Sequence, residues 1–165
     1  MTHMATTLNP YAGFLGDSKP NEVVAETPKR ISQLVEQLGP EGLERSYAPG
    51  KWTAREIICH LTDTEIAFSF RFRQTLAEPH HVIQPWDQEA WAKNYESISA
   101  KEAAQTFAAL RRWNLSLFKL VGPNALAKPV THPERGELTF RMLLETMAGH
   151  DRNHLRHLEM IASQA

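Results

Sequence analysis

Cysteine, long apolar runs and net charge are all scarce in this chain, and each shortage excludes a class of protein. The single cysteine, Cys59, cannot build an internal disulfide framework and fits a reducing compartment. No apolar stretch approaches the roughly 20 residues of a membrane-spanning helix, and the N-terminus lacks the basic and then apolar build of a signal peptide. A formal net charge of -1 argues against a nucleic-acid-binding protein. We therefore expect a cytoplasmic protein with neither nucleic acid nor membrane as its partner.

Length and composition are those of one ordinary globular domain. The chain has 165 residues, of which 42% are hydrophobic and 22% charged. A chain of this size can bury a substantial core. We predict a single domain over residues 1–165, in which residues 1–20 form an N-terminal extension.

Four segments carry helix signals, and few signals for strands compete with them. The first helix is predicted from about Thr27 to Leu38. Thr27 can cap its start, and Pro28 suits the first helical position, where an N–H would have no partner in any case. Gly39-Pro40 can end it, and residues 21–26 are open to forming an extra turn before it.

The second and third predicted helices both open with a capping-box pattern, a serine or threonine followed three residues later by glutamate. Every predicted helix has an apolar stripe on one side, and four such stripes can be buried only against one another. We therefore predict an all-α fold, a four-helix bundle. The long linker between the second and third helices, residues 78–98, allows a crossover connection. The remaining predicted helices span about 53–77, 99–122 and 139 to nearly the C-terminus.

The arrangement of the histidines carries the strongest functional signal. The chain has 8 histidines, and His150 and His154 lie four apart on the last predicted helix. This spacing places them on one face, about 6 Å apart. His154 lies close to the centre of the apolar stripe and His150 lies on its flank, so both can point into the bundle. His60 lies beside the apolar stripe of the second helix and is the natural third ligand of a metal ion.

Other interpretations of the same pattern stay open. Buried histidines are often only hydrogen-bonded to neighbouring groups, although burying two adjacent imidazoles costs desolvation that a metal ion would offset. His157 can pair with His154, but it lies nearer the edge of the stripe, which favours a position at the rim. Cys59 points about 100° away from His60 around the helix and is predicted to be a buried, inert thiol. The other histidines are predicted on the surface: His3, His80, His81 and His132.

Charged residues around the histidines are predicted to be exposed or to cap helices. Asp63 and Glu65 lie within two turns of His60, and Asp87 lies in the long linker. Aspartate and glutamate are mostly found on protein surfaces. The short basic runs 71–73 and 111–112 are likewise predicted to be solvated helix faces.

Four motifs in succession resemble the DinB-like superfamily. The chain is most similar to its YfiT-like members, described as metal-dependent hydrolases, and the resemblance covers roughly residues 20–161. It implies a bundle with an up-down-down-up path and a divalent metal near one end. The metal triad of the family falls on His60, His150 and His154, and His157 is not one of the usual ligands. The motifs are PGKWTAREIICHLTDTE at 49–65, WDQEAWA at 86–92, HPERGELTF at 132–140 and HDRNHLRHL at 150–158.

A three-histidine site leaves at least one coordination position open, which is typical of catalytic rather than structural ions. Water bound there would have its pKa lowered toward about 7, and a thiol would bind as thiolate. We therefore predict a metal-dependent enzyme that activates water for hydrolysis or a low-molecular-weight thiol for transfer, acting on a small molecule. Thiol-dependent transferases and isomerases among the relatives agree with the second reaction. Nickel, zinc and manganese are all compatible with the site.

Two alternatives to an enzyme stay open. One is a non-catalytic metal-binding or stress-response bundle, in which a structural ion has its fourth position filled by protein. The other is a metal-free bundle that mediates dimer contacts. A homodimer is compatible with each of these functions, with Ile66 and Phe70 predicted on an exposed helix face.

Overall fold

Four long helices dominate the computed structural model, which describes residues 8–164. None of the described helices is long and apolar enough to cross a membrane. The fold-class prediction, an all-α four-helix bundle, is confirmed. The long helices are α2 (Pro20–Leu43), α3 (Ala54–Ala77), α5 (Ala100–Phe118) and α7 (Phe140–Ala162). Shorter elements are α1 (Ala12–Leu15), α4 (Gln88–Ala92), a 3₁₀ turn at Tyr95–Ser97, α6 (Pro123–Leu126) and the strands β1 (His81–Val82), β2 (Pro129–His132) and β3 (Gly136–Thr139).

Helices α3 and α5 run parallel to each other. Thr62 Oγ1 donates to Ala103 O at 3.0 Å, and farther along both helices Arg73 Nη1 donates to Asn114 Oδ1 at 2.7 Å. Parallel neighbours joined in sequence need a connection that returns along the bundle. The linker between α3 and α5 is this crossover, as its length predicted.

Helices α2 and α7 form the second parallel pair. Thr27 Oγ1 donates to Asp151 Oδ2 at 2.8 Å, and farther along both helices Arg30 Nε donates to Glu159 Oε1 at 3.0 Å. The two parallel pairs pack against each other in opposite directions. The path along the bundle is therefore up-down-down-up.

The antiparallel packing of α3 and α7 decides where the candidate site lies. Phe72, in the last third of α3, contacts Phe140 at the start of α7 with ring centroids 5.0 Å apart. Moving back along α3 therefore means moving forward along α7. This brings His60, in the second turn of α3, beside His150 in the middle of α7.

The bundle core consists of two apolar clusters with polar side chains between them. One cluster contains Ile31, Leu34, Leu61 and Phe107, and the other contains Phe68, Phe72, Phe140 and Met147. The histidines and a group of buried charges lie at the level between them. The polar groups that need an explanation for their burial therefore lie in the middle of the bundle.

Helix α2 begins at Pro20, so the predicted start at Thr27 is wrong. Proline at residue 28 removes the N–H that would bond to the carbonyl of Val24, four residues earlier. Arg111 Nη1 donates to this carbonyl instead, at 2.8 Å, so the helix continues through Pro28. Gly39, with φ 60°, interrupts the helix near the predicted end.

The predicted starts of the other three long helices are confirmed. Thr53 and Glu56 form a reciprocal capping box at the start of α3, with contacts of 2.7 and 3.2 Å. Ser99 and Thr139 accept backbone N–H groups at the starts of α5 and α7. Local sequence signals therefore fix these boundaries.

A small three-stranded sheet forms in segments for which no strands were predicted. Strand β2 pairs in parallel with β1 from the linker and in antiparallel with β3. Strands this short show no readable alternation of apolar and polar residues. The sheet buries His81 and His132, so their predicted surface positions are wrong, whereas His80 is exposed as predicted. His3 lies outside the described residues.

The helix face that was predicted to be available for a dimer contact is exposed in the structure. Ile66 and Phe70 lie on α3 and are both exposed to solvent. The dimer itself stays a prediction.

Candidate metal centre

The structure brings together the three histidines that the sequence singles out. His60 lies on α3, and His150 and His154 lie one turn apart on α7. A ligand nitrogen from each ring lies within 4.8 Å of the others, and Nε2 of His60 is 3.0 Å from Nε2 of His150. His60 and His150 are buried and His154 is half-buried. Metal binding by this cluster stays a prediction.

Aromatic side chains hold the rings from outside. Trp52 and Trp86 lie against His60, with centroid distances of 4.7 and 6.0 Å. Tyr11, from the N-terminal extension, meets the His150 ring edge-on at 5.1 Å. The extension can come this close because residue 149 is glycine: a Cβ there would lie 2.4 Å from the Tyr11 carbonyl oxygen. The rings are therefore oriented mainly by packing.

Hydrogen bonding within the protein does not account for the cluster. Within residues 8–164, the buried Nδ1 atoms of His60 and His154 have no partner. The Nε2 atoms of His60 and His150 lie within hydrogen-bonding distance of each other, but each unpaired Nδ1 costs about 1–3 kcal/mol, so this one contact does not offset the burial of the rings.

The distance between two of the ring nitrogens fits a shared divalent cation. Ligand nitrogens about 2.0–2.1 Å from an ion lie about 3 Å apart when their bonds meet near a right angle. The 3.0 Å between the Nε2 atoms of His60 and His150 matches this value.

Burial keeps the three imidazoles neutral. It lowers the pKa of His60 to about 4 and that of His154 to about 3, with the charges of neighbouring histidines adding to the effect at His154. The pKa of His150 is also lowered well below its ordinary 6.5. Burial is the main cause, and the positive charges that His154, His60 and Arg111 can carry add to it. Neutral rings offer lone pairs, which metal ligation requires.

In metal-free protein, we expect the free energy of unfolding to fall as the pH drops from about 6.5 to about 4. The folded-state pKa values lie below 6.5, so the unfolded chain binds more protons in this interval and acid favours it. The contribution of the neutral histidines to the free energy of unfolding is complete above pH 6.5, the pKa of histidine in the unfolded chain, and it is lost as the pH falls toward the folded-state values. Urea unfolding across this range measures it.

The matched variant for this measurement is His154→Gln, which removes one of the titrating rings. Its stability should depend less steeply on pH than that of the wild type. Equal steepness in the two proteins would show that the His154 imidazole does not titrate as its burial implies.

A pocket of about 280 Å³ opens beside the cluster, with His60 and His150 in its wall. A second pocket, of about 350 Å³, reaches His154 from the side of the loop before α3. Gln88, at the start of α4, lines both. The histidine cluster therefore lies between the two pockets, and Gln88 of the linker between α3 and α5 contributes to the wall of each.

The charges nearest the site include three that the sequence interpretation placed wrongly. Glu65, Arg71 and Arg111 were predicted to be exposed, but all three are buried. Arg111 donates to Glu65 at 2.7 Å and to Asp151 at 2.7 Å, which joins α3, α5 and α7. Arg111 follows Phe107 by four residues and precedes Asn114 by three, so its place in the apolar row of α5 was a signal for burial.

The remaining candidates take supporting positions. His157 stacks on Tyr47 with ring centroids 4.2 Å apart, at the edge of the cluster, as its place on the helix predicted. Asp63 accepts a hydrogen bond from Tyr95, and Asp87 caps α4. Cys59 is buried, and burial raises the pKa of its thiol to about 11, which agrees with an inert thiol.

Comparison with known proteins gives consistent results for family and fold. The family model described as DinB superfamily matches residues 24–158. A protein of Oceanobacillus iheyensis, provisionally named as a metal-dependent hydrolase, is 27% identical over 86% of this chain and 83% of its own. YfiT of Bacillus subtilis, provisionally named in the same way, is 28% identical over 83% of this chain and 79% of its own.

The solved structure of Bacillus subtilis YfiT, described as a four-helix bundle of unusual topology, superimposes with a TM-score of 0.82. The match covers 88% of this chain and 85% of that one at 23% identity, which is a likeness of fold.

Proposed function

Because the chain belongs to the DinB superfamily, we propose that it is a metal-dependent enzyme acting on a small molecule, with His60, His150 and His154 holding a divalent ion. One observation carries the proposal: three neutral imidazoles converge beside a pocket of about 280 Å³, and two of them, His60 and His150, form part of its wall. The provisional names of the relatives agree with this function. Nickel, zinc and manganese are the candidate ions, because imidazole ligands suit several divalent metals.

The chemistry of the ion follows from its charge. Held by the three neutral imidazoles, the ion would act as a Lewis acid and would lower the pKa of a water molecule or a thiol bound to it. The protein orients the His60 ring through Trp52 and Trp86 and the His150 ring through Tyr11.

The pocket favours catalysis over a structural ion. A structural site is closed by four protein ligands, whereas a catalytic site keeps a position facing solvent or substrate. Among the described residues, the cluster that could hold an ion has three members, and two of them face the pocket. His157, which lies one turn beyond His154, stacks on Tyr47 instead of joining this cluster.

Thiol transfer is the second candidate reaction, and the distribution of carboxylates favours it. Among the described residues that line the pocket beside His60, the one carboxylate belongs to Glu134, which is exposed. Glu65 and Asp151 are bound by Arg111 and cannot serve as free bases. A thiol, with a pKa near 8.5, needs less help to ionise than water. Two pockets around one centre also suit two substrates.

Removal of the metal tests the proposal. We expect purified protein to contain one divalent ion per chain by elemental analysis. Chelation should lower the melting temperature by about 5–10 °C while leaving a cooperative transition, since an ion held at about 100 times its Kd contributes roughly 3 kcal/mol. Unfolding on chelation would support a structural ion instead.

Turnover separates the two reactions. A screen of small esters, amides and electrophiles, with and without added thiol, should show activity that disappears on chelation and returns with metal. Activity that needs no thiol identifies hydrolysis, and activity that needs thiol identifies transfer. Activity that survives chelation contradicts the proposed function.

A further inference from the structure

Arg71 is a buried cation without a counter-ion among the described residues. The residue is only 8% exposed and lines the pocket beside His60. Within residues 8–164, its guanidinium takes part in neither a hydrogen bond nor an ion pair, and residues 1–7 contain no acidic side chain. A buried charge without a partner is unfavourable, so its retention calls for a ligand.

The contrast with Arg111 sharpens this point. Both arginines are buried, but Arg111 is neutralised by Glu65 and Asp151. In the part of the chain that the structure describes, the guanidinium of Arg71 instead faces the Phe68 ring, with its central carbon 5.2 Å from the ring centroid. The same fold therefore compensates one buried guanidinium fully and leaves the other facing a pocket.

A second cation reinforces the same end of the pocket. Arg135, in the turn between β2 and β3, also lines the pocket, and burial together with Arg135 lowers the pKa of Arg71 to about 10. His132 lies in the same wall. The exposed Glu134 is the one acidic side chain among the described lining residues and forms no ion pair with either arginine at 4.0 Å or less. This end of the pocket therefore attracts an anion.

The cations lie at a defined distance from the histidines. His60, Thr64, Phe68 and Arg71 recur at spacings of four, four and three along α3, so they share one helix face, and all four line the pocket. Eleven residues of helix separate the Cα atoms of His60 and Arg71 by about 16 Å, and the arginine side chain leans back toward the N-terminus of the helix. The pocket is therefore elongated, with the histidine cluster at one end and guanidinium groups at the other.

We propose that Arg71, assisted by Arg135, binds a carboxylate or phosphate group of the substrate, and that the reactive end of the same molecule lies at the histidine cluster. The second half of this statement rests on the proposed function, whereas the first half does not. Guanidinium groups bind these oxyanions through paired, charge-assisted hydrogen bonds, which explains the choice of arginine.

The test is anion binding by the chelator-treated full chain, so that no metal ion can bind the probe. The probes are inorganic phosphate and glutarate, each titrated into wild type, Arg71→Met and Arg112→Met by calorimetry. Arg112 is exposed on α5 and provides the matched control. We expect at least one probe to bind the wild type and the control equally, and to bind Arg71→Met at least about tenfold more weakly.

Two further readouts make the result decisive. Binding of phosphate alone points to a phosphate group on the substrate, and binding of glutarate alone points to a carboxylate. In the absence of anion, Arg71→Met should melt at the same temperature as the wild type or higher, because it removes an uncompensated charge while keeping the apolar length of the side chain. A structural role for Arg71 would instead lower the melting temperature by more than about 5 °C.

Failure of this proposal is distinguishable from failure of the proposed function. Equal anion binding by wild type and Arg71→Met, or no binding of either probe, overturns the anion site even if the protein holds a metal. Anion binding that depends on Arg71 in a protein that never takes up metal supports the anion site and contradicts the metal-dependent function.

Discussion

Replacing His60 or His154 by alanine should abolish stoichiometric metal binding, whereas His157→Ala should only weaken it. The first two side chains supply nitrogens to a cluster whose ligand atoms lie within 4.8 Å of one another. His157 instead packs on Tyr47 at the edge of this cluster. We expect a loss of affinity well above about 100-fold for the two ligands and of at most about 10-fold for His157, which is the lower end of the effect of a group that only orients a ligand.

Elemental analysis of the purified variants measures the outcome. His80→Ala is the control, because His80 is exposed and contacts Thr131 in the small sheet. Circular dichroism establishes that each variant is folded. Full metal occupancy in His154→Ala would eliminate the three-histidine centre and the function proposed from it.

The second large effect concerns the buried charges, where Arg111→Met should destabilise the protein by about 3–5 kcal/mol. Arg111 is fully buried and donates to Glu65 and Asp151 at 2.7 Å and to the carbonyl of Val24 at 2.8 Å. Methionine keeps much of the side-chain volume but leaves two carboxylates buried without a cation. Urea unfolding measures the loss.

Two companion variants define the cause. Arg112→Met changes the neighbouring exposed arginine and should alter stability by no more than about 0.5 kcal/mol. The triple variant Arg111→Met, Glu65→Leu, Asp151→Leu removes both stranded carboxylates and should recover a large part of the loss. If Arg111→Met does not fold, a folded triple variant still identifies stranded charge as the reason. A single variant within about 1 kcal/mol of the wild type would contradict this account.

The sequence predicted those parts of the fold that depend on nearby residues. The caps Thr53, Ser99 and Thr139 act on backbone N–H groups within the next turn, so three helix starts were readable. The proximity of His150 and His154 follows from helix geometry alone, because residues four apart lie on one face of a helix. The approach of His60 needed a further assumption about how the helices face one another.

The parts that were missed depend on partners far away in the sequence. Pro28 looks like a helix start until Arg111, on another helix, satisfies the carbonyl that proline leaves free. Glu65 looks like a surface residue until the same arginine neutralises it. The strands are two to four residues long and are held by pairing between the linker and the segment before α7, which no local pattern expresses.

Gly149 offers a marker for comparing related chains. Its missing side chain lets the segment around Tyr11 lie directly on α7, where that tyrosine meets His150 and lines the pocket. A relative with even an alanine at this place has no room for the same crossing and has to route its leading segment elsewhere. Such a chain would keep all three imidazoles, but the opening of the pocket beside them would have a different shape. Substrate preferences should therefore be transferred between relatives only where this position is glycine.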